Sequence, residues 1–488
     1  MKITDMSSFN LPPGRLTVWR ACAPCMTDAA WGSDGRRASY VQEAHLTYAR
    51  ETAAAGALPP SWLGCAFDLP AELDADAFAT ALCDWINRHE NLRSHLAPSA
   101  HAMPRGALQR RTLPVEAVHV TSGTEGDFTD GRALTQYLED LFDRETSPLG
   151  WPAYVFATVS RPDATTVLIA TDHVLTDGYS TLRSAHEIHT LYTAALTTHD
   201  GKPALPPVTV SYPDFAEAER STADALTAEH ESIVRWRRFV TEAGGRLPVF
   251  PVPVSDTSGS PAAQPCGYIK LLDEPAARAF DYACRQAGGD SFSGLLACLA
   301  KVGHDSAGTS EFRTMSPFTT CADSSRSIGW YVGMGPIAFR LTSTDSFAIV
   351  LRSAIAALDG VKALACIPMS RVEQLLGMPL CDPFMVSYSD FRRMPGARHW
   401  NTWRTVILRS RTNAPDDVYF WVFRTHDGLF INYRHPATHQ AYVAVPDYVA
   451  RTKHLMASVA STARWPSPNF EQENVARDGH QAHSRSIV

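Results

Sequence analysis

The sequence lacks any apolar run of the about 20 residues that a membrane-spanning helix requires. Its start, "MKITDMSSFNLPPGRL", also lacks the uninterrupted apolar segment of a secretory signal. No cluster of Lys and Arg stands out, and the formal charge of -7 argues against a partner gripped by its phosphates. No nucleic-acid role is expected, although a local positive patch for a phosphorylated cofactor stays open. The ten cysteines are scattered, and Cys83, Cys284 and Cys298 sit in apolar, helix-like surroundings. A reduced, cytoplasmic protein with free buried thiols is therefore expected. Cys22 and Cys25 in "ACAPCM" have redox or zinc spacing, but no second pair follows at zinc-site distance, so no metal is expected. "HEIH" (His186, His189) lacks the i, i+4 spacing of a zincin pair and reads as a packed or solvated helix face. "GGDSFSGLLA" has no Gly-x-Ser-x-Gly register and reads as a helix start capped by Asp290 or Ser291.

What is present is the composition of a well-packed globule: 45% hydrophobic and 19% charged residues. A chain of 488 residues is too long for one ordinary core, so two domains are expected. Strand-type and helix-type segments succeed one another in both halves. "RLTVWRACAP" and "SWLGCAFDLP" read as strands, and "DADAFATALCDWINRHENL" carries Phe78, Leu82, Trp85 and Ile86 at helical spacing. "WPAYVFATVS" and "ATTVLIATDH" read as neighbouring strands separated by the turn "RPDA", and the helix "YSTLRSAHEIHTLYTAAL" follows. The Pro-rich "GKPALPPVTVSYPDF" reads as the connection between the halves. Beyond it, the strand "GYIKLL" precedes the helices "EPAARAFDYACRQAG" and "SFSGLLACLAKVGHD". This order predicts an α/β fold in two lobes, residues 1–205 and 206–465, with a polar tail at 466–488 expected to be disordered. The aromatic residues Trp330, Tyr331, Trp403, Tyr419, Phe420 and Trp421 read as core or sheet packing rather than a sugar-stacking platform.

The segment with chemistry in it is "VLIATDHVLTDGYS", Val167 to Ser180. A buried strand that ends at His173 holds an imidazole rigidly at a sheet edge, where it can face a cleft without breaking the ladder. Histidine titrates near neutrality, so its neutral form accepts a proton from a hydroxyl, amine or thiol. Asp177 constrains the turn, and if buried it requires a cationic partner, expected to be a remote arginine. Gly178 lets the backbone turn tightly or a substrate approach closely.

"DHVLTDG" resembles the His-His-x-x-x-Asp-Gly signature of the condensation-domain acyltransferase superfamily, which includes chloramphenicol acetyltransferase and nonribosomal peptide condensation domains. "NRHENLRSHL", "SYPDFAEAE", "SIGWYVGMGPIAFR", "PFMVSYSDF" and "LFINYRHP" resemble further elements of that superfamily, in its order, so the likeness spans residues 40–460. "QEAHL", "GGRLPVFPVPV", "GWYVGMGPI" and "IPMSRVEQL" are most similar to the actinobacterial polyketide-associated acyltransferases, particularly those that acylate trehalose. Asp172 stands where the general signature has its first histidine, a structural position. The absence of an Asp-Phe-Gly-Trp-Gly element argues against the plant-type alcohol acyltransferases.

The resemblance implies two chloramphenicol acetyltransferase-like lobes in a V-shaped pseudo-dimer, with an active-site tunnel between them and His173 near its middle. It implies a general base, His173, that deprotonates an acceptor hydroxyl as it attacks a thioester, with no covalent acyl-enzyme. It makes Asp177 structural, paired with Arg326, and gives Gly178 the role of letting the thioester arm pass. The oxyanion would be held by backbone N–H groups near Gly178 or by Ser387 or Tyr388, and the residues do not choose among them. Arg88, His89 and Glu90 are expected to form a structural polar cluster at a helix end. The co-substrate implied is acyl-CoA or a phosphopantetheinyl carrier-protein thioester, with no bound cofactor. The partners implied are an acyl carrier protein or polyketide synthase and a small hydroxyl acceptor, trehalose among them, in a monomer. Two other readings share the motif: amide formation on an amine acceptor, and a non-catalytic member that binds a carrier protein. Acyl length, acceptor identity, regiochemistry and the number of transfers are not legible.

Overall fold

The computed structural model describes residues 1–23, 31–70, 72–98, 108–197, 205–254, 263–323, 326–380, 384–412 and 417–466. Cys25 and the tail beyond Pro466 lie outside these residues. Two large sheets carry the fold. The first runs, edge to edge, Lys2–Asp5, Val406–Arg409, Trp62–Pro70, Ala164–Asp172, Tyr154–Ser160, Gly14–Cys22 and His119–Phe128. The second runs Cys266–Asp273, Gly428–Arg434, Val418–Thr425, Phe384–Asp390, Glu311–Thr319 and Val332–Arg340. Each sheet is mixed, mostly antiparallel with parallel pairs where the chain crosses over. The helices flank both sheets, giving the α/β architecture in two lobes.

The strand Ala164–Asp172 lies in the middle of the first sheet and is buried on both faces, which is why it reads as an unbroken apolar run rather than an alternation. Val167 and Ile169 face one core with Phe78, Leu82, Trp85, Leu182 and Ile188, from the helices Ala75–Arg88 and Gly178–Thr197. Leu168 and Ala170 face the other, with Leu134, Leu138, Leu141 and Phe142 from the helix Gly131–Glu145. The first lobe is thus three layers, and the strand that delivers His173 is clamped between two of them. In the second lobe Phe384, Val386, Phe420, Val422 and Ile431 pack under the helices Glu274–Gln286, Ser291–Ala307, Phe347–Leu358 and His439–Thr462. Asp290 caps the second of these, accepting from the Ser293 amide at 2.8 Å.

The two lobes are stitched together rather than merely apposed. Phe423 and Phe430, from the second sheet, belong to the core of the first lobe. Val406–Arg409, far along the chain, pairs in the first sheet between Lys2–Asp5 and Trp62–Pro70, an element that the sequence reading does not contain. Its last residue, Arg409, lies 3.9 Å over the ring of Trp421 and donates to Asn432, both in the second sheet. Arg434 donates to Asp5 at 2.5 Å, and Arg409 lies 3.7 Å from the same carboxylate. Burial, and then the neighbouring Arg434, push the Arg409 guanidinium down to about 9. Asp5 is the only carboxylate in ion-pair reach of these two guanidinium groups among the described residues. Asp5→Asn is therefore expected to destabilise the protein by about 3–5 kcal/mol, because it leaves buried charge without a counter-ion. Urea unfolding of the two proteins checks this; matching midpoints would show that the seam does not need the carboxylate.

Candidate active site

His173 follows the last residue of its strand, and its amide donates to the Ser61 carbonyl at 3.0 Å, so the ladder is extended by one bond before the chain turns. The turn closes with Leu175 N–H donating to Asp172 O at 3.0 Å and Thr176 N–H to His173 O at 3.3 Å. The imidazole packs against Trp330, ring centroids 3.8 Å apart and tilted by 34°. It is recessed yet retains partial exposure. Its Nδ1 is enclosed without a hydrogen-bond partner, which leaves Nε2 as the nitrogen open to an incoming group. Burial, and then the nearby His45, hold its pKa below the ordinary histidine value. The ring is thus kept neutral and able to accept a proton at neutral pH.

Asp177 is buried, but no arginine among the described residues pairs with it. Its Oδ1 accepts from the Ser180 amide at 2.7 Å, and its backbone carbonyl accepts from Thr181 N–H at 2.9 Å. It thus caps the helix Gly178–Thr197, where a carboxylate is favoured by the exposed amides and the helix dipole. Its Oδ2 accepts from the Tyr331 amide at 3.0 Å, across 154 residues of chain. The expected ion pair with Arg326 is therefore corrected. The Arg326 guanidinium donates to the carbonyls of Cys321 at 2.6 Å and Asp323 at 3.2 Å, and it lies over the rings of Tyr179 and Tyr331. Peptide amides do for Asp177 what a cation was expected to do. Gly178 opens the helix, is exposed, and a Cβ built on it would meet nothing within 4 Å. Space for a ligand lies directly above it.

The segment that brings Trp330 and the Tyr331 amide is itself anchored from the first lobe. Ser180 Oγ donates to Gly329 O at 2.9 Å, and Gly329 N–H donates back at 3.3 Å. A Cβ at Gly329 would lie 2.2 Å from the Tyr212 ring, so only glycine fits. Arg183 donates to the carbonyl of Arg326, and its other nitrogens hold Glu187. Glu187 also accepts from His89 Nε2 at 2.6 Å and Trp85 Nε1 at 3.1 Å. Burial works to raise the Glu187 pKa, but His89 and the guanidinium groups of Arg183 and Arg88 hold it at about 2. Because His89 Nδ1 accepts from Ile328 N–H at 3.2 Å, its proton sits on Nε2 and the ring is neutral. Arg88 and His89 are thus the structural cluster expected of them, whereas Glu90 pairs with Arg36 at 2.6 Å.

Neither proposed oxyanion side chain has a hydrogen bond or ring contact with His173 among the described residues. Tyr388 stacks on Phe292, centroids 5.5 Å apart, with its phenol pushed well up by burial. Ser387 alternates to the other face of its strand and pairs in register with Trp421. The recess walled by Leu46, His95, Arg110, Trp151, Val174 and Leu175 does not include His173. Conversely, the structure adds residues that the sequence reading did not place. Asp172 Oδ1 accepts from Val174 N–H at 2.8 Å and meets His45 Nε2 at 3.0 Å, while Oδ2 accepts from Ser61 Oγ at 2.5 Å. His45 also meets Trp330 edge to face, centroids 5.7 Å apart. Nothing in local pattern joins residues 45, 61 and 330 to residue 173; sheet pairing brings Ser61, and packing of a helix and of the other lobe brings His45 and Trp330. His186 and His189 are packed on the helix face with Trp403, which stacks on His189 at 4.2 Å.

Comparison with known proteins places this geometry. "Acyltransferase PapA3" of Mycobacterium tuberculosis is 26% identical over 475 residues, covering 95% of this chain and 96% of that protein. "Trehalose-2-sulfate acyltransferase PapA2" of the same organism is 24% identical over 473 residues, covering 94% and 97%. The solved structure of "PapA2 acyl transferase" superposes with a TM-score of 0.85 at 24% identity, over 94% of this chain and all of that one. The family model for the condensation domain matches residues 63–378, which contain His173, Asp177, Gly178 and the Trp330 segment. The chain belongs to the condensation domain family.

Proposed function

We propose that this protein is an acyltransferase that moves an acyl group from a thioester, on CoA or a carrier-protein phosphopantetheine, to a hydroxyl of a sugar such as trehalose. One observation carries the reading: a neutral imidazole, His173, is recessed at the end of a doubly buried strand with Nε2 left open, and Gly178, at the start of the helix that follows, has open space where a Cβ would stand. The names of the relatives support acyl transfer, and one of them names a trehalose derivative as its acceptor. In this reading the two substrates enter a passage between the lobes from opposite sides. Nε2 takes the proton of the acceptor hydroxyl while its oxygen attacks the thioester carbonyl. The tetrahedral intermediate collapses with loss of the thiolate, which takes up the proton from His173. The thioester is already activated, so no enzyme-bound ester intervenes. The amides at the start of the helix Gly178–Thr197 are the oxyanion donors we favour. Holding donor and acceptor together supplies the orientation component of the rate.

Incubation of the protein with acyl-CoA and trehalose, followed by mass spectrometry, is expected to yield acylated trehalose. His173→Ala is expected to lower kcat/KM by about 10²–10⁴-fold. Equal turnover by the two proteins would remove His173 from the chemistry, and turnover with amines alone would make the protein an amide-forming enzyme. A second expectation concerns pH. A general base acts when neutral, and the His173 pKa is depressed, so activity is retained below the ordinary histidine pKa and is lost only at lower pH. The acid limb of kcat/KM is expected below about 6.5; a midpoint at or above that value would contradict the burial of the base.

A further inference from the structure

His45 is a second imidazole at this site, and the reaction as described leaves it without work. It stands on the inward face of the helix Tyr40–Ala54, beside Gln42, Leu46 and Ala49, and its side chain is 14% exposed. Asp172 and Ser61 fix it from one side only. The Asp172 carboxylate can only accept, so the His45 nitrogen 3.0 Å away, Nε2, carries a proton toward it. Ser61 spends its own proton on the other carboxylate oxygen. The carboxylate is 1% exposed and is met by no Lys or Arg among the described residues, so its side-chain partners are Ser61 and this ring. His45 Nδ1, by contrast, has no partner among the described residues and is not enclosed. The indole of Trp330 touches both imidazoles, and His45 lies close enough to His173 to bear on its charge, so the two rings belong to one site.

We propose that His45 is an acceptor-binding residue: held by Asp172 through Nε2, it hydrogen-bonds through Nδ1 to a second hydroxyl of the acceptor while His173 addresses the first. The site then selects a polyhydroxylated acceptor over a simple alcohol. A hydroxyl both donates and accepts, so the contact forms whether Nδ1 offers a lone pair or an N–H. This inference rests on the acyltransferase reading for its reaction but not for its binding contact.

The test separates a binding contact from a bracket between helix and strand. His45→Gln retains an N–H that can reach Asp172 and removes Nδ1. It is expected to melt with the wild type and to keep the KM for acyl-CoA. The KM for trehalose is expected to rise by roughly 5- to 10-fold, the weight of one hydrogen bond. The preference for trehalose over cyclohexanol as acceptor falls by the same factor. Asp172→Asn, which loosens the ring without touching Nδ1, moves the same preference and serves if the first variant does not fold. An unchanged preference in the folded variant overturns the proposal. Titration calorimetry with trehalose alone reads the contact without turnover. Weaker binding by His45→Gln supports the proposal even if no acyl transfer is found and the acyltransferase reading fails. Equal binding by variant and wild type, or none by the wild type, overturns it.

Discussion

The carboxylate of Asp177 is the point on which the site depends. It is buried, it caps the helix that follows His173, and its second oxygen holds the amide of Tyr331 from the other lobe. One oxygen therefore orders the turn that carries His173, and the other fixes the segment that packs Trp330 against that imidazole. A buried carboxylate satisfied by peptide dipoles needs no mobile cation, and amides bring no titration of their own. The arrangement is rigid across the pH range in which histidine works.

The same segment is held at every step along its length. Arg326 O is bound by Arg183, Ile328 N–H by His89, Gly329 by Ser180, and Tyr331 N–H by Asp177. All four anchors come from the first lobe, and three of them lie on the helix Gly178–Thr197 or at its cap. Glu187 charges this scaffold without exposing it to solvent: one carboxylate orders Arg183, His89 and Trp85 together. The lobes are thus registered at the catalytic centre by polar contacts, and elsewhere by Phe423, Phe430 and the inserted strand Val406–Arg409. Trp330 cannot shift against His173 without disturbing bonds that also order the helix.

Much of this was legible in the sequence where the determinants are local. The strand ending before His173 shows itself as an apolar run because both its faces are covered, and the helix after it begins where Asp-Gly says it should. Local pattern located Ala75–Arg88 and, in the second lobe, Glu274–Gln286 and Ser291–Ala307, whose apolar faces are set by their own residues. What escaped is non-local. A four-residue strand from residue 406 carries little pattern, and only its pairing with Trp62–Pro70 makes it part of the first sheet. A buried charge calls for an opposite charge, and the family resemblance points to Arg326 as its source; the sequence cannot show that two amides, one from 154 residues away, serve instead. His45 stood in the quoted "QEAHL", but nothing along the chain reveals that Asp172 faces it.

The neutrality of His173 follows from how the surrounding charges are disposed. Two carboxylates, Asp172 and Asp177, flank it in sequence, and both work to raise its pKa by stabilising the imidazolium, but burial and then His45 outweigh them. Both are engaged elsewhere. Asp172 is taken up by Ser61, His45 and the Val174 amide, and Asp177 by the Ser180 and Tyr331 amides. Neither carboxylate bonds the imidazole, so burial against Trp330 sets the direction of the shift. A base tied to a carboxylate would be stronger but would sit protonated more of the time in a dry site. The structure instead favours an imidazole kept neutral by its burial, the state in which the proposed reaction requires it.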